Sequence, residues 1–177
     1  MRRIDTEYDR LLERARELLG AGDDEVLVDA NLAVNDALVL RPDSVEGWLL
    51  KCQVASATSD DVSALAAVEM AVARAPQRPE CQYWRGAVLG DLGRYAESLR
   101  AIETAFALLT DEDHWLLEDL YFEKVTVLES LGLHGPAVIA CEDGLRVCPG
   151  SALLRAALVP AERARVRGSL KVLRGGA

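Results

Sequence analysis

At 177 residues and 19.2 kDa the chain is long enough for one domain with a substantial core and too short for two large ones. Half of its residues are apolar and 28% are charged, which excludes disorder, and the abundance of Ala, Leu, Arg and Glu points to helices rather than strands. The net charge of −9 is unevenly spread: residues 1–154 carry 28 acidic and 14 basic side chains, residues 155–177 one acidic and six basic, so the body repels nucleic acid and anionic membrane.

The opening "MRRIDTEYDRLLERARELLG" is basic at its start but lacks the apolar run of a secretory signal. No later run approaches the ~20 apolar residues of a membrane span, so a cytoplasmic protein is expected. Arg outnumbers Lys by 17 to 3, as a GC-rich bacterial coding bias would give. Cys52, Cys81, Cys141 and Cys148 form no CxxC pair and read as buried or half-buried thiols.

A period then emerges along the chain. Pro42, Pro76, Thr110 and Pro149 fall 34, 34 and 39 residues apart. The same intervals relate Ala37, Ala71, Ala105 and Gly144; Val34, Val68, Ile102 and Cys141; and Ala30, Ala64, Ser98 and Ala137. Upstream, Cys52, Gly86 and Val125 repeat at 34 and 39, as do Ala55, Leu89 and Leu128, and Trp48, Gln82 and Tyr121. Apolar and small residues at steps of three and four, as in Leu99, Ile102, Ala105 and Phe106, predict two helices per unit, each with one buried stripe.

The units span about 8–42, 45–78, 79–112 and 118–150. In the first, "GAGDDEVLVDA" reads as a turn about three residues longer than in the other units. "RPDSVE" supplies a stop at Pro42 and a capping box from Asp43 to Glu46. In "RGAVLGDLGRY", Gly86 lies within a helix, where its small size admits a neighbour, and Gly93 ends that helix. "TDEDHWLLEDL" carries five extra residues that should extend a helix or splay the third and fourth units apart. Gly132 closes the first helix of the last unit. Finally "SALLRAALVPAERARVRGSLKVL" predicts a helix capped by Ser151 and kinked or divided at Pro160.

With its aligned small residues, "GDLGRYAES" at 90–98 and the closing "RVCP" at 146–149, the array at 1–150 resembles the tetratricopeptide repeat family. The resemblance implies an all-α, right-handed superhelical solenoid of about four helix-turn-helix repeats, with 151–177 as a capping helix and basic tail. It also implies that the inner faces of the first helices line a concave groove for a partner peptide. By position this groove receives Asp9, Leu12, Glu13 and Arg16; Glu46, Leu49, Leu50 and Gln53; Glu80, Tyr83, Trp84 and Ala87; and Asp119, Phe122, Glu123, Thr126 and Glu129. Members that hold acidic chaperone tails use Lys, Arg and Asn there, which this set nearly lacks.

The expectation is a non-catalytic scaffold binding a basic or amphipathic peptide, with Tyr83, Trp84 and Phe122 as anchors and Leu49, Gln53, Glu80, Asp119, Glu123 and Thr126 beside them. A second reading has some of the apolar members facing the next helix rather than solvent. Another is self-assembly, with the basic tail from Arg155 to Arg174 docked in the acidic groove of its own or another copy.

Chemistry has less to support it. Neither GxxxxGK[ST] nor GxGxxG occurs, so the glycines of 85–95 are not a phosphate loop. His114 and His134 lie on different linkers and the cysteines at no ligand spacing, so no metal or cofactor is expected. Nucleophilic catalysis needs a Cys or Ser with a base beside it, yet Cys141 and Cys148 occupy the columns of Val34 and Arg41, and the pairs Asp23/Asp24, Asp60/Asp61 and Glu118/Asp119 read as caps rather than acid–base pairs. Lys51, Arg85 and Lys124 recur at 34 and 39, a row of like cations that suggests an anion track; the favoured expectation is that each lays its stem between helices and pairs with a carboxylate.

Overall fold

The computed structural model describes residues 2–21 and 24–174, and no strand occurs among them. Four hairpins follow in order: α1 (Arg2–Ala21) with α2 (Asp24–Leu40), α3 (Val45–Ala57) with α4 (Asp61–Arg74), α5 (Pro79–Asp91) with α6 (Tyr95–Leu108), and α7 (Leu117–Ser130) with α8 (His134–Val147). A ninth helix, α9 (Ala152–Arg174), closes the described chain. Each helix packs chiefly on its hairpin mate and next on the helix that follows, and α1, α3, α5 and α7 touch in succession. A hairpin with apolar residues on two sides cannot cover both alone, and stacking covers the second.

The helix ends have local causes. Ser44 caps α3 by accepting the Gly47 amide at 2.9 Å, and Asp60 caps α4 by accepting that of Ser63 at 3.1 Å. The expected box from Asp43 to Glu46 does not form: Ser44 is the cap, and the Glu46 carboxylate is drawn across the repeat to Arg78 at 2.7 Å. Three turns within hairpins share one closure. The amides of Asp60, Arg94 and Leu133 donate to the carbonyls of Ala55, Leu89 and Leu128, at 2.9, 2.8 and 2.8 Å. The residue before each amide has positive φ: 55° at Ser59, 71° at Gly93 and 73° at Gly132.

The core is made of the repeated columns. Val34, Val68, Ile102 and Cys141 are all fully buried, as are Ala37, Ala71 and Ala105. Gly86 admits its neighbour at contact range: a Cβ there would lie 2.7 Å from Ile102 Cγ1, and the Ser98 hydroxyl donates to its carbonyl at 2.7 Å.

Three local expectations change. Helix α1 runs to Ala21 and α2 starts at Asp24, so the extra length of the first unit lies in its helices rather than in a long turn. The extra residues of the third link form a 3-10 helix, Asp111–Leu116, with a capping box in which Asp113 accepts from the Thr110 amide at 2.8 Å. Its Leu116 is fully buried with Ile102, Ala105, Leu120 and Val127, so the insertion plugs the seam between units. Helix α9 passes through Pro160 undivided. Ala156, whose carbonyl loses its helical donor there, is exposed and solvent satisfies it. The expected cap does form, with the Leu154 amide donating to Ser151 Oγ at 3.0 Å.

Candidate functional site

Along the run of first helices α1, α3, α5 and α7, which touch in succession, the first half and the second differ in charge balance. In the first half Arg78, just before α5, donates to Glu46 at 2.7 Å and to Glu80 at 2.6 and 3.0 Å. The Arg78 hydrogen bond holds the Glu46 carboxyl below its ordinary value, against the opposing effect of burial. Arg16, Leu50 and Gln53 join these three residues and Leu49 around a hollow of about 110 Å³. A second hollow of about 320 Å³ adds Tyr8, Asp9, Leu12, Glu13 and Arg41, with the Arg41 guanidinium 4.4 Å over the Tyr8 ring.

This corrects the expected near-absence of cations. Arg16 was legible by position, but Arg41 and Arg78 lie before α3 and α5, and only their long stems bring them to the face. Leu49 and Leu50 are 2% and 3% exposed, so they are core residues that form the floor rather than open contacts. Gln53 and Glu80 are half-buried.

The second half carries the expected Tyr83 and Trp84 on α5 and Asp119, Phe122, Glu123 and Thr126 on α7, to which Asp91 of α5 adds its charge. Tyr83 and Trp84 meet edge to face, with ring centroids 5.3 Å apart at 66°. Tyr83 also packs on the cluster of Ile102, Leu116 and Leu120, and Trp84 on that of Leu49, Cys52 and Val88. Each therefore spans a seam between units and keeps part of its surface open. Phe122 is half-buried; Asp119 and Thr126 are exposed, and the Thr126 hydroxyl donates to the Phe122 carbonyl at 3.0 Å.

Burial and neighbouring acids raise the carboxylates here. Burial pushes Glu123 up to about 7, with Asp91 and Asp119 adding to the shift. Asp119 is raised by burial and then by Glu118, and Asp91 by burial and then by Asp61. The Tyr83 hydroxyl is pushed up by burial first and then by the charges of Asp119, Glu123 and Asp91. Asp91 was missed from sequence, although it follows Ala87 by four residues on the face that carries Tyr83 and Trp84.

His134 Nδ1 lies 3.1 Å from Glu129 Oε1, and burial pushes the thiols of Cys52 up to about 12 and of Cys81 and Cys141 up to about 11. No group of three or more His, Cys, Asp and Glu side chains able to hold a metal occurs among the described residues. Of the recurring cations only Arg85 pairs with a carboxylate, Glu69 at 2.8 Å. Lys51 donates instead to Asn35, at 2.5 Å, and Lys124 lies 5.4 Å over the Phe106 ring.

No family model and no curated protein matches the sequence. Solved structures do match in shape. The MamA protein aligns with a TM-score of 0.72 at 18% identity over 95% of this chain and 88% of its own. PilW, a type IV pilus biogenesis factor, aligns at 0.77 with 19% identity over 92% and 70%. A thermophilic TPR protein of Thermus thermophilus, TTC0263, aligns at 0.74 with 18% identity over 87% and 80%. Four stacked hairpins, the turn closure shared by three of them and these likenesses together establish the fold as that of a tetratricopeptide-repeat solenoid.

Proposed function

We propose that the chain is a non-catalytic binding scaffold whose concave face takes a basic or amphipathic segment of another protein. The observation that carries this is Glu123, a half-buried carboxylate that burial, Asp91 and Asp119 together hold above its ordinary value, and the nearby Tyr83, on which the same three acids act. A lysine or arginine placed among them relieves that repulsion and stacks on an aromatic face. The first half contributes less, because Glu46 and Glu80 already have Arg78. Tyr83, Trp84 and Phe122 then serve as anchors for the apolar side of the segment. The competing reading puts the basic tail of another copy in this groove. In its own chain α9 stacks on α7 and α8, and Ala157, Leu158 and Ala161 pack against Val125, Leu128 and Ala137.

The test is fluorescence anisotropy with two labelled amphipathic helical peptides, one rich in Lys and Arg and the other in Glu. The basic peptide should bind, and should weaken roughly ten-fold, about 1.4 kcal/mol, with Asp119→Asn plus Glu123→Gln. Phe122→Ala should weaken it too, with the helical circular dichroism unchanged. Equal capture of both peptides, or indifference to these changes, would falsify the reading.

A further inference from the structure

A second surface of the molecule carries complementary halves on two different helices. On α2 the exposed residues fall in two adjacent rows. Val28, Leu32 and Val39 are 61%, 57% and 80% exposed, and at about 3.6 residues per turn they share one line along the helix. Glu25, Asp29 and Asp36, also exposed, run along one flank of that line. Helix α2 contains four acidic residues and no basic one.

Its counterpart lies on α9. Leu154 and Ala161 are buried against the preceding hairpin, and the opposite side of the helix carries Val159 and Val166, 47% and 52% exposed. Arg155, Arg163 and Arg167 flank them, all exposed. Helix α9 contains six basic residues and one acidic. Val159 stands ten residues after Pro149, as Cys52 and Gly86 stand after Pro42 and Pro76; those two are buried, whereas no described residue covers Val159 to that extent.

The position of the α2 row is informative. Leu32 shares its repeat column with Ile139, which lines a cleft with Glu103 and Phe106 of α6 in the preceding hairpin. Ile139 stays 57% exposed beside that cleft, and Ala66 and Arg100 of the same column are exposed, so the register of Leu32 is an outward one in every unit.

We propose that the outward face of α9 docks on the outward face of α2 of a second copy, head to tail. Apolar rows meet, and arginines meet carboxylates. At 1.5 Å per residue the α2 row from Glu25 to Val39 extends about 21 Å and the α9 row from Arg155 to Arg167 about 18 Å, so the surfaces are comparable in length. Pairing α9 with α9, or α2 with α2, brings like charges together and is disfavoured. Because the two faces are different, each docked copy leaves one of each kind free, and association continues into a chain or closes into a ring. This contact leaves the concave groove open and is independent of what binds there.

Sedimentation velocity of the full chain over a concentration series, at low and high salt, tests it. The average mass should rise with concentration at low salt and fall back with added salt. Asp29→Arg with Asp36→Arg should leave a monomer, as should Arg163→Glu with Arg167→Glu, both with unchanged circular dichroism. Mixing the two variants should restore assembly, because each then supplies the face the other lacks. A monomeric wild-type chain at every concentration, or variants that fail to rescue one another, overturns the proposal. Assembly that survives the α2 changes but is lost with Asp119→Asn plus Glu123→Gln also overturns it, in favour of a tail held in the concave groove.

Discussion

At Glu123 a carboxylate that a sequence reader would place on a wet surface is half-buried beside Asp91 and Asp119, with its pKa at about 7. Between the ordinary value of 4.5 and about 7, the folded chain keeps a proton that the unfolded chain releases. Stability therefore falls as pH rises through that window. Glu123→Gln should raise the melting temperature at pH 8 by about 2–4 °C, as about 1 kcal/mol does in a chain of this size, and the gain should vanish near pH 5. Equal gains at both pH values would locate the effect in packing. The same sign governs ligand: a cationic peptide favours the charged carboxylate, so its affinity should rise from pH 6 to pH 8.

At the scale of the element, caps and closures carry the hairpins, and most were written locally. Gly93 and Gly132 end their helices as their spacing predicts, and Ser59 takes the same left-handed position although nothing in its chemistry marks it. What recurs there is the place in the repeat, which imposes the turn on a serine. Ser151 illustrates the opposite case, a cap legible from its own side chain. Ser151→Ala should cost about 1 kcal/mol in urea unfolding, and Ser151→Gly only a few tenths, because glycine keeps the cap backbone accessible. A loss as large in the glycine variant would mean that burial of Ser151, rather than its hydrogen bond, sets its contribution.

For the whole molecule, each unit contacts only its neighbours, so protection should be graded along the array. Hydrogen exchange read by mass spectrometry should find the slowest amides in α3–α6 and faster exchange in α1 and in α9 beyond Ala161. Uniform protection would instead mean that the solenoid opens as one cooperative unit. The same linear logic separates the two proposed surfaces: the concave groove is made jointly by several units, whereas the α2 and α9 faces each belong to one helix.

The amino-acid order by itself determined the helical class, the period and the positions of the turns, because these follow from interactions within about one unit of chain. Through the family resemblance it also implied that Tyr83, Trp84, Asp119 and Glu123 lie on the inner sides of their helices. Which of those side chains stay open was decided by tertiary packing: Leu49 became floor, while Tyr83 and Trp84 became seams between units. The charge of the groove was decided there too. Arg78 reaches Glu46 across 32 residues, and Asp91 of α5 meets Asp119 and Glu123 of α7 only once the units stack. The physical reason is range: helical pattern is local, whereas desolvation and Coulomb interaction depend on distances that stacking alone establishes.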